Sequence, residues 1–256
     1  MLINSFIFLP GIGHTTERRL WEDGVLDWKT FLERPRAGPI KGDRKIRLDS
    51  IITEALDNLE TGNLRYFSSI FSCGETWRLW SDFSYRAVFV DIETTGTGRY
   101  SPITVVGCYD GEEYRSAVRG FNLQGEEVER MLSEASMIVT FNGATFDLPI
   151  IENHFPGSLP RVPHLDLRFL ARKAGFVGGL KSVERALGIE RPDDVKGMSG
   201  EDAVRLWWLW NREGNRNALK LLLKYNMEDV INLKDLAEVL VRRMTERYPI
   251  SRGGSQ

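Results

Sequence analysis

The sequence predicts an α/β fold, a mixed β-sheet flanked by helices and preceded by a small helical segment. Three observations lead there. Apolar runs of strand length recur at Ala87–Val90, Pro102–Tyr109, Glu113–Val118 and Met137–Phe141. A helical pattern interrupts them at Glu126–Ala135, and beyond a possible strand at His164–Leu167 the periodicity is helical almost throughout, an order that suits a mixed sheet covered by helices. Glycines and prolines between Arg34 and Arg44 set the first residues apart from this pattern. With 256 residues and 42% hydrophobic composition, the chain can bury the core of one domain of ordinary size with a small appendage.

Taken in order, Phe8-Leu9-Pro10-Gly11-Ile12-Gly13 followed by Thr15–Trp21 reads as a glycine turn opening a helix with a threonine cap, and Trp28–Leu32 as a second short helix. Gly11 and Gly13 allow a tight turn and leave amide N–H groups free at a helix start, the geometry that receives a phosphate. A helical cap that merely packs on its neighbour explains the same residues. The basic and breaker-rich stretch Arg34–Arg44 reads as a linker, and Arg47–Trp80 as amphipathic helix giving way to extended chain. The main domain starts near Ser81. Ala87–Val90 runs into Asp91-Ile92-Glu93-Thr94-Thr95-Gly96, and Asp110-Gly111 is a hairpin turn. Helices are expected at Arg168–Ala174, Leu180–Leu187, Glu201–Asn211 and Asn217–Arg247. The expected organisation is therefore 1–40 N-terminal segment, 41–80 linker and connecting helix, 81–247 main domain and 248–256 disordered tail.

Composition excludes several classes. No run approaches the roughly 20 apolar residues of a membrane span, and Phe6–Leu9 lacks a basic leader, so no membrane association and a cytoplasmic location are expected. Cys73 and Cys108 have no CxxC partner, and His14, His154 and His164 have no zinc or triad pattern around them. A net charge of −2 means that a polyanion would have to be met by local patches or metals.

The acids carry the most information. Side chains alternate along a strand, so Asp91 and Glu93 share a face while Val90 and Ile92 share the other. Neighbouring carboxylates raise one another's pKa or hold a hard cation, although a solvated strand end is the bland alternative. Asp147 follows the run Met137–Phe141 at the start of a turn or helix, where it could equally complement a helix dipole. Asp229 lies on the helical stripe Leu222, Tyr225, Asp229, Leu233, Leu236, Leu240, and an ionised group among apolar neighbours needs compensation. Tyr225 lies one turn before it on the same face, and a simple Tyr–Asp hydrogen bond remains an alternative.

The stretches Val90-Asp91-Ile92-Glu93-Thr94-Thr95-Gly96, Asn142-x-x-x-Phe146-Asp147 and Tyr225-x-x-x-Asp229 resemble, in order and spacing, the three motifs of the DEDD exonuclease superfamily in its tyrosine form, over roughly Ala87–Leu240. The later half, through Gly179-Leu180-Lys181-Ser182-Val183-Glu184, resembles the predicted-exonuclease family called YprB-like, and the turn Pro10–Gly13 resembles a helix-hairpin-helix motif. The resemblance implies a ribonuclease-H-like fold and a 3′-to-5′ exonuclease using two divalent ions, Mg²⁺ or Mn²⁺. It implies that Asp91, Glu93, Asp147 and Asp229 hold the metals, that Tyr225 orients the attacking water, and that the substrate is single-stranded DNA, ahead of RNA, with a free 3′ end. Thr94, Asn142, Phe146 and Lys181, with Gly11 and Gly13 in the N-terminal turn, are the expected nucleic-acid contacts, and Arg168, Arg172, Lys173 and Arg185 offer a phosphate track. Trp207, Trp208 and Trp210 are expected to pack in the core rather than stack on bases. The rival class is a catalytically silent nucleic-acid-binding module on the same scaffold.

Overall fold

The computed structural model describes residues 1–98 and 100–250. They form two compact units: Met1–Ser84 with Arg161–Pro163 and the stretch from Val241, and Tyr85–Pro160 with His164–Leu240.

The first unit contains α1 (His14–Glu22), α2 (Trp28–Glu33), α3 (Gly42–Glu60), α4 (Leu64–Ile70) and the single turn α5 (Trp80–Phe83). Residues 1–40 and 41–80 thus share one unit, and its core takes Phe6, Leu20 and Trp28 from one and Ile52, Phe67 and Trp77 from the other. Arg78 is fully buried at its centre, with Nη2 2.8 Å from Glu17 Oε2 and Nε 2.7 Å from Glu75 Oε2. Two expectations change here. The cap of α1 is Gly13 rather than a threonine, because the helix already begins at His14, and it makes no side-chain cap bond. The chain expected to be extended before Trp80 is helical instead, with the short 3₁₀ helix Thr76–Leu79 following α4. Its aromatic side chains serve packing: Phe67 and Trp77 are both buried. Of the expected tail, Tyr248 stacks on His14 at 5.0 Å between ring centroids, and 251–256 lie outside the described residues.

The second unit is built on a five-stranded mixed sheet: β1 (Ala87–Thr94), β2 (Ile103–Tyr109), β3 (Tyr114–Val118), β4 (Met137–Thr140) and β5 (His164–Asp166), in the order β3-β2-β1-β4-β5. β1 pairs antiparallel with β2 and parallel with β4, so the strand that carries Asp91 and Glu93 is central. Around it lie α6 (Gly125–Leu132), α7 (Asp147–His154), α8 (Leu167–Lys173), α9 (Leu180–Leu187), α10 (Gly200–Glu213) and α11 (Arg216–Arg247), of which residues up to Leu240 belong to this unit. The predicted α/β class, a mixed sheet flanked by helices, is the fold observed. Trp207 is buried with Val105, Leu222 and Tyr225, as expected of a core residue. Trp208 is exposed beneath Arg212, and Trp210 stacks on Phe121 at 5.8 Å.

Candidate metal centre

The alternation of β1 carries Asp91 and Glu93 to one face at the centre of the sheet, and the apolar stripe of α11 lays Asp229 against them. Each of the three acids offers one oxygen, and these oxygens lie within 4.8 Å of one another. Asp147 heads α7, where its Oδ1 accepts the Ile92 N–H of β1 at 3.1 Å. It stands outside the three-oxygen set but close enough for its charge to act on Asp91 and Glu93.

Loss of hydration is the first cause that pushes all four acids above the ordinary carboxylate range. For Asp91 the charges of Asp229, Asp147 and Glu93 add to it, and for Glu93 that of Asp229 comes next. Asp147 is pushed up to about 7, against the pull of the Ile92 amide. For Asp229 the opposing influence is Arg191, followed by Lys181. Arg191 Nη1 lies 2.5 Å from Asp229 Oδ1, yet neither atom makes an aligned hydrogen bond, and Glu93 Oε1 is also buried without a donor. The clustered carboxylate oxygens of Asp91, Glu93 and Asp229, with Glu93 Oε1 lacking a donor, are hard anionic ligands of the kind that Mg²⁺ or Mn²⁺ requires, so the residues present fit a divalent ion.

Several neighbours were not legible beforehand. Asn226, next to Tyr225 and fully buried, donates from Nδ2 to Asp91 Oδ2 at 2.9 Å and accepts the Tyr114 hydroxyl at 3.0 Å. Gly107 lies opposite Asp91 in β2, and a Cβ there would fall 1.7 Å from Asn226 Oδ1. Arg191 is fixed by two bonds to Glu184, at 2.8 and 2.7 Å, and Asn232 holds the same carboxylate. Asp166 secures the turn before α7 by accepting from the Asn142 and Ala144 amides at 2.8 and 3.0 Å.

The expected contacts fall into three groups. Tyr225 is buried beside the acids, and its hydroxyl accepts a bond from Lys181 Nζ at 2.6 Å, so both lie at the centre. Burial, followed by the Asp229 charge, raises the Tyr225 pKa, while burial lowers that of Lys181. Thr94 Oγ1 is engaged with Gly96 O at 2.5 Å, and Asn142, at φ 72°, accepts from Arg168 Nη1 at 2.5 Å. Phe146 borders a cavity of about 330 Å³ with Thr97 and Pro149. Gly11 and Gly13 belong to the other unit, where Gly11 adopts φ 73° and its carbonyl accepts from Arg44 at 3.0 Å.

A mixed sheet carrying acids from its central strand and from a covering helix makes an α/β domain with a candidate cation site. The model of the RNase_H superfamily matches residues 88–241, more than half of the sequence, and the chain belongs to that superfamily. Most of its members are nucleases that act on nucleic acid with divalent metals, and some are inactive. No curated protein matches the chain. Among the described residues no helix is long and apolar enough to cross a membrane.

Proposed function

We propose that the chain is a 3′-to-5′ exonuclease of the DEDD superfamily in its tyrosine form, similar to the YprB-like family, acting on single-stranded DNA ahead of RNA. The observation that carries this reading is the meeting of Asp91, Glu93 and Asp229 within 4.8 Å, with Tyr225 one helical turn from Asp229. Asp91, Glu93 and Asp229 would hold one ion, and Asp91 with Asp147 a second, reached through solvent. The chemistry that such a pair supplies when bound is neutralisation of charge on the attacking oxygen, the phosphate and the departing 3′ oxygen.

The protein's own groups prepare the rest. Asn226 keeps Asp91 in place through Oδ2, and Gly107 leaves room for it. Lys181 fixes the Tyr225 oxygen by donating to it. Because burial and the nearby acids hold Tyr225 in its protonated form, its hydroxyl is an orienting donor for water and not a proton acceptor. The turn around Asn142, tied down by Asp166 and Arg168, and the cavity beside Phe146 offer a seat for the terminal nucleotide.

Single strands of DNA and RNA, labelled at either end and offered with Mg²⁺, Mn²⁺ or chelator, test the proposal. A 5′-labelled strand should shorten stepwise with either metal, while a 3′-labelled one releases its label at once. Strand binding without any cleavage would favour the silent module instead.

A further inference from the structure

Beside the acid cluster lies a cavity of about 460 Å³ whose wall carries four cations, Lys181, Arg185, Arg191 and Lys196, against two acids, Glu184 and Glu190. In a chain of net charge −2 this is a local concentration of positive charge. One of the two acids is already spent, because Glu184 is buried and clasped by Arg191 and Asn232. Lys181 and Arg191 face both ways: they line the cavity, and they also touch the Tyr225 hydroxyl and Asp229. The other two are uncommitted. Arg185 is exposed and reaches only the Lys181 carbonyl, at 3.3 Å, and the exposed Lys196 ammonium makes no hydrogen bond or ion pair among the described residues.

We infer that this cavity is a second subsite, which seats a nucleotide of the substrate strand adjoining the one cleaved and grips its phosphate with Arg185 and Lys196. The inference rests on the exonuclease reading for the direction of the strand. The cavity falls in the size range of small-ligand sites, roughly 300 to 1,000 Å³, and so holds one nucleotide unit. Two of the cations on its edge, Lys181 and Arg191, touch the centre, and two, Arg185 and Lys196, do not, which lets the phosphodiester next to the reacting one be neutralised by side chains while the reacting one meets the metal-holding acids. Arg191 and Lys181 are the fixed part of that edge, held by Glu184 and by Tyr225. Arg185 and Lys196 are the adaptable part.

The test is binding of a 5′-fluorescein octathymidylate to the full chain in chelator, where no turnover intervenes. Arg185→Glu with Lys196→Glu should weaken binding by about 10-fold or more, and should flatten the plot of log affinity against log salt by about 1.4, at about 0.7 for each lost contact to a single strand. Lys196→Glu alone, which disturbs no bond, should give a smaller loss of the same sign. Arg216→Glu with Lys220→Glu, an equal charge change on exposed α11 positions outside the cavity, should have at most a small effect. Equal losses in the two double variants, or no binding by the unaltered chain, would overturn the subsite. Displacement by adenosine 5′-monophosphate as effective per phosphate as by unlabelled strand would overturn it too, by assigning the cavity to free mononucleotide. Failure of the exonuclease reading looks different: no metal-dependent turnover by the unaltered chain, whatever the variants bind.

Discussion

Replacing Asp91 by Asn should make the metal-free protein more stable and deprive it of its response to metal. Asp91 has a like charge on Glu93 and another on Asp229, each offering an oxygen within 4.8 Å. At that separation Coulomb's law gives about 1 kcal/mol per pair in water and about 3.5 kcal/mol at the effective dielectric of a protein surface, and Arg191 offsets part of it. A net relief of about 2 kcal/mol is expected where the three acids are ionised, worth a rise of roughly 4 to 8 °C in melting temperature for a protein of this size. The substitution is close in shape, and an asparagine oxygen still accepts the Asn226 amide now bonded to Asp91 Oδ2. Its new N–H₂ can also serve Glu93 Oε1, which is buried without a donor. Melts in chelator and in Mn²⁺ provide the assay. Mn²⁺ should raise the melting temperature of the unaltered chain and leave that of Asp91→Asn unmoved. If the variant melts lower in chelator, or still gains from Mn²⁺, the acids neither repel one another nor hold the ion as argued.

Three further outcomes follow from the same geometry. Asp147, pushed up to about 7 in the folded chain, binds more protons folded than unfolded between about pH 4 and 7, so it makes metal-free stability fall as pH rises through that window; denaturant midpoints in chelator read this, and a shallower profile in Asp147→Asn than in the unaltered chain assigns the difference to it. Gly107→Ala drives a methyl into Asn226 Oδ1 at 1.7 Å and should cost about 1 to 3 kcal/mol by overpacking, measured by urea denaturation, with partial recovery when Asn226→Ala is added. Tyr225→Phe removes only an orienting hydroxyl and should lower turnover by roughly 10- to 1000-fold while strand binding survives, a split that parallel rate and affinity measurements would show.

The parts of this centre that were legible in the sequence are those written as periodicity. Asp91 and Glu93 are two residues apart on a run that can only be a strand, so their shared face follows from the pleat. Asp229 stood out because helical spacing placed it on an apolar stripe, and the stripe is indeed buried from Leu222 to Leu240. What could not be read is what depends on contact between distant segments. Asn226 holds Asp91 across 135 residues, and nothing in a buried asparagine beside a tyrosine announces its partner. Gly107 looked like any strand residue, although its missing side chain is what admits Asn226. Arg191 follows the end of α9 in an irregular stretch with no period to give it a face, yet it is the cation nearest the cluster. In the first unit, Arg78 was hidden for the same reason, since its partner Glu17 lies 61 residues away and only Glu75 is local. The error before Trp80 was of another kind: the helical pattern after Arg47 was expected to give way to extended chain, and short helices that bury Phe67 and Trp77 continue instead.

The central claim is that the clustered acids make a metal-dependent catalytic site, and it is tested most directly by single-turnover cleavage of a 5′-labelled single strand in Mn²⁺ by the unaltered chain and by Asp229→Asn. Asp229 supplies one of the three clustered oxygens, and its helix carries Tyr225 as well. The account predicts stepwise shortening from the 3′ end by the unaltered chain, and a rate lower by about a thousandfold or more in the variant, with strand binding retained. A variant that cleaves at a rate within about tenfold of the unaltered chain, or cleavage that persists in excess chelator, would contradict it.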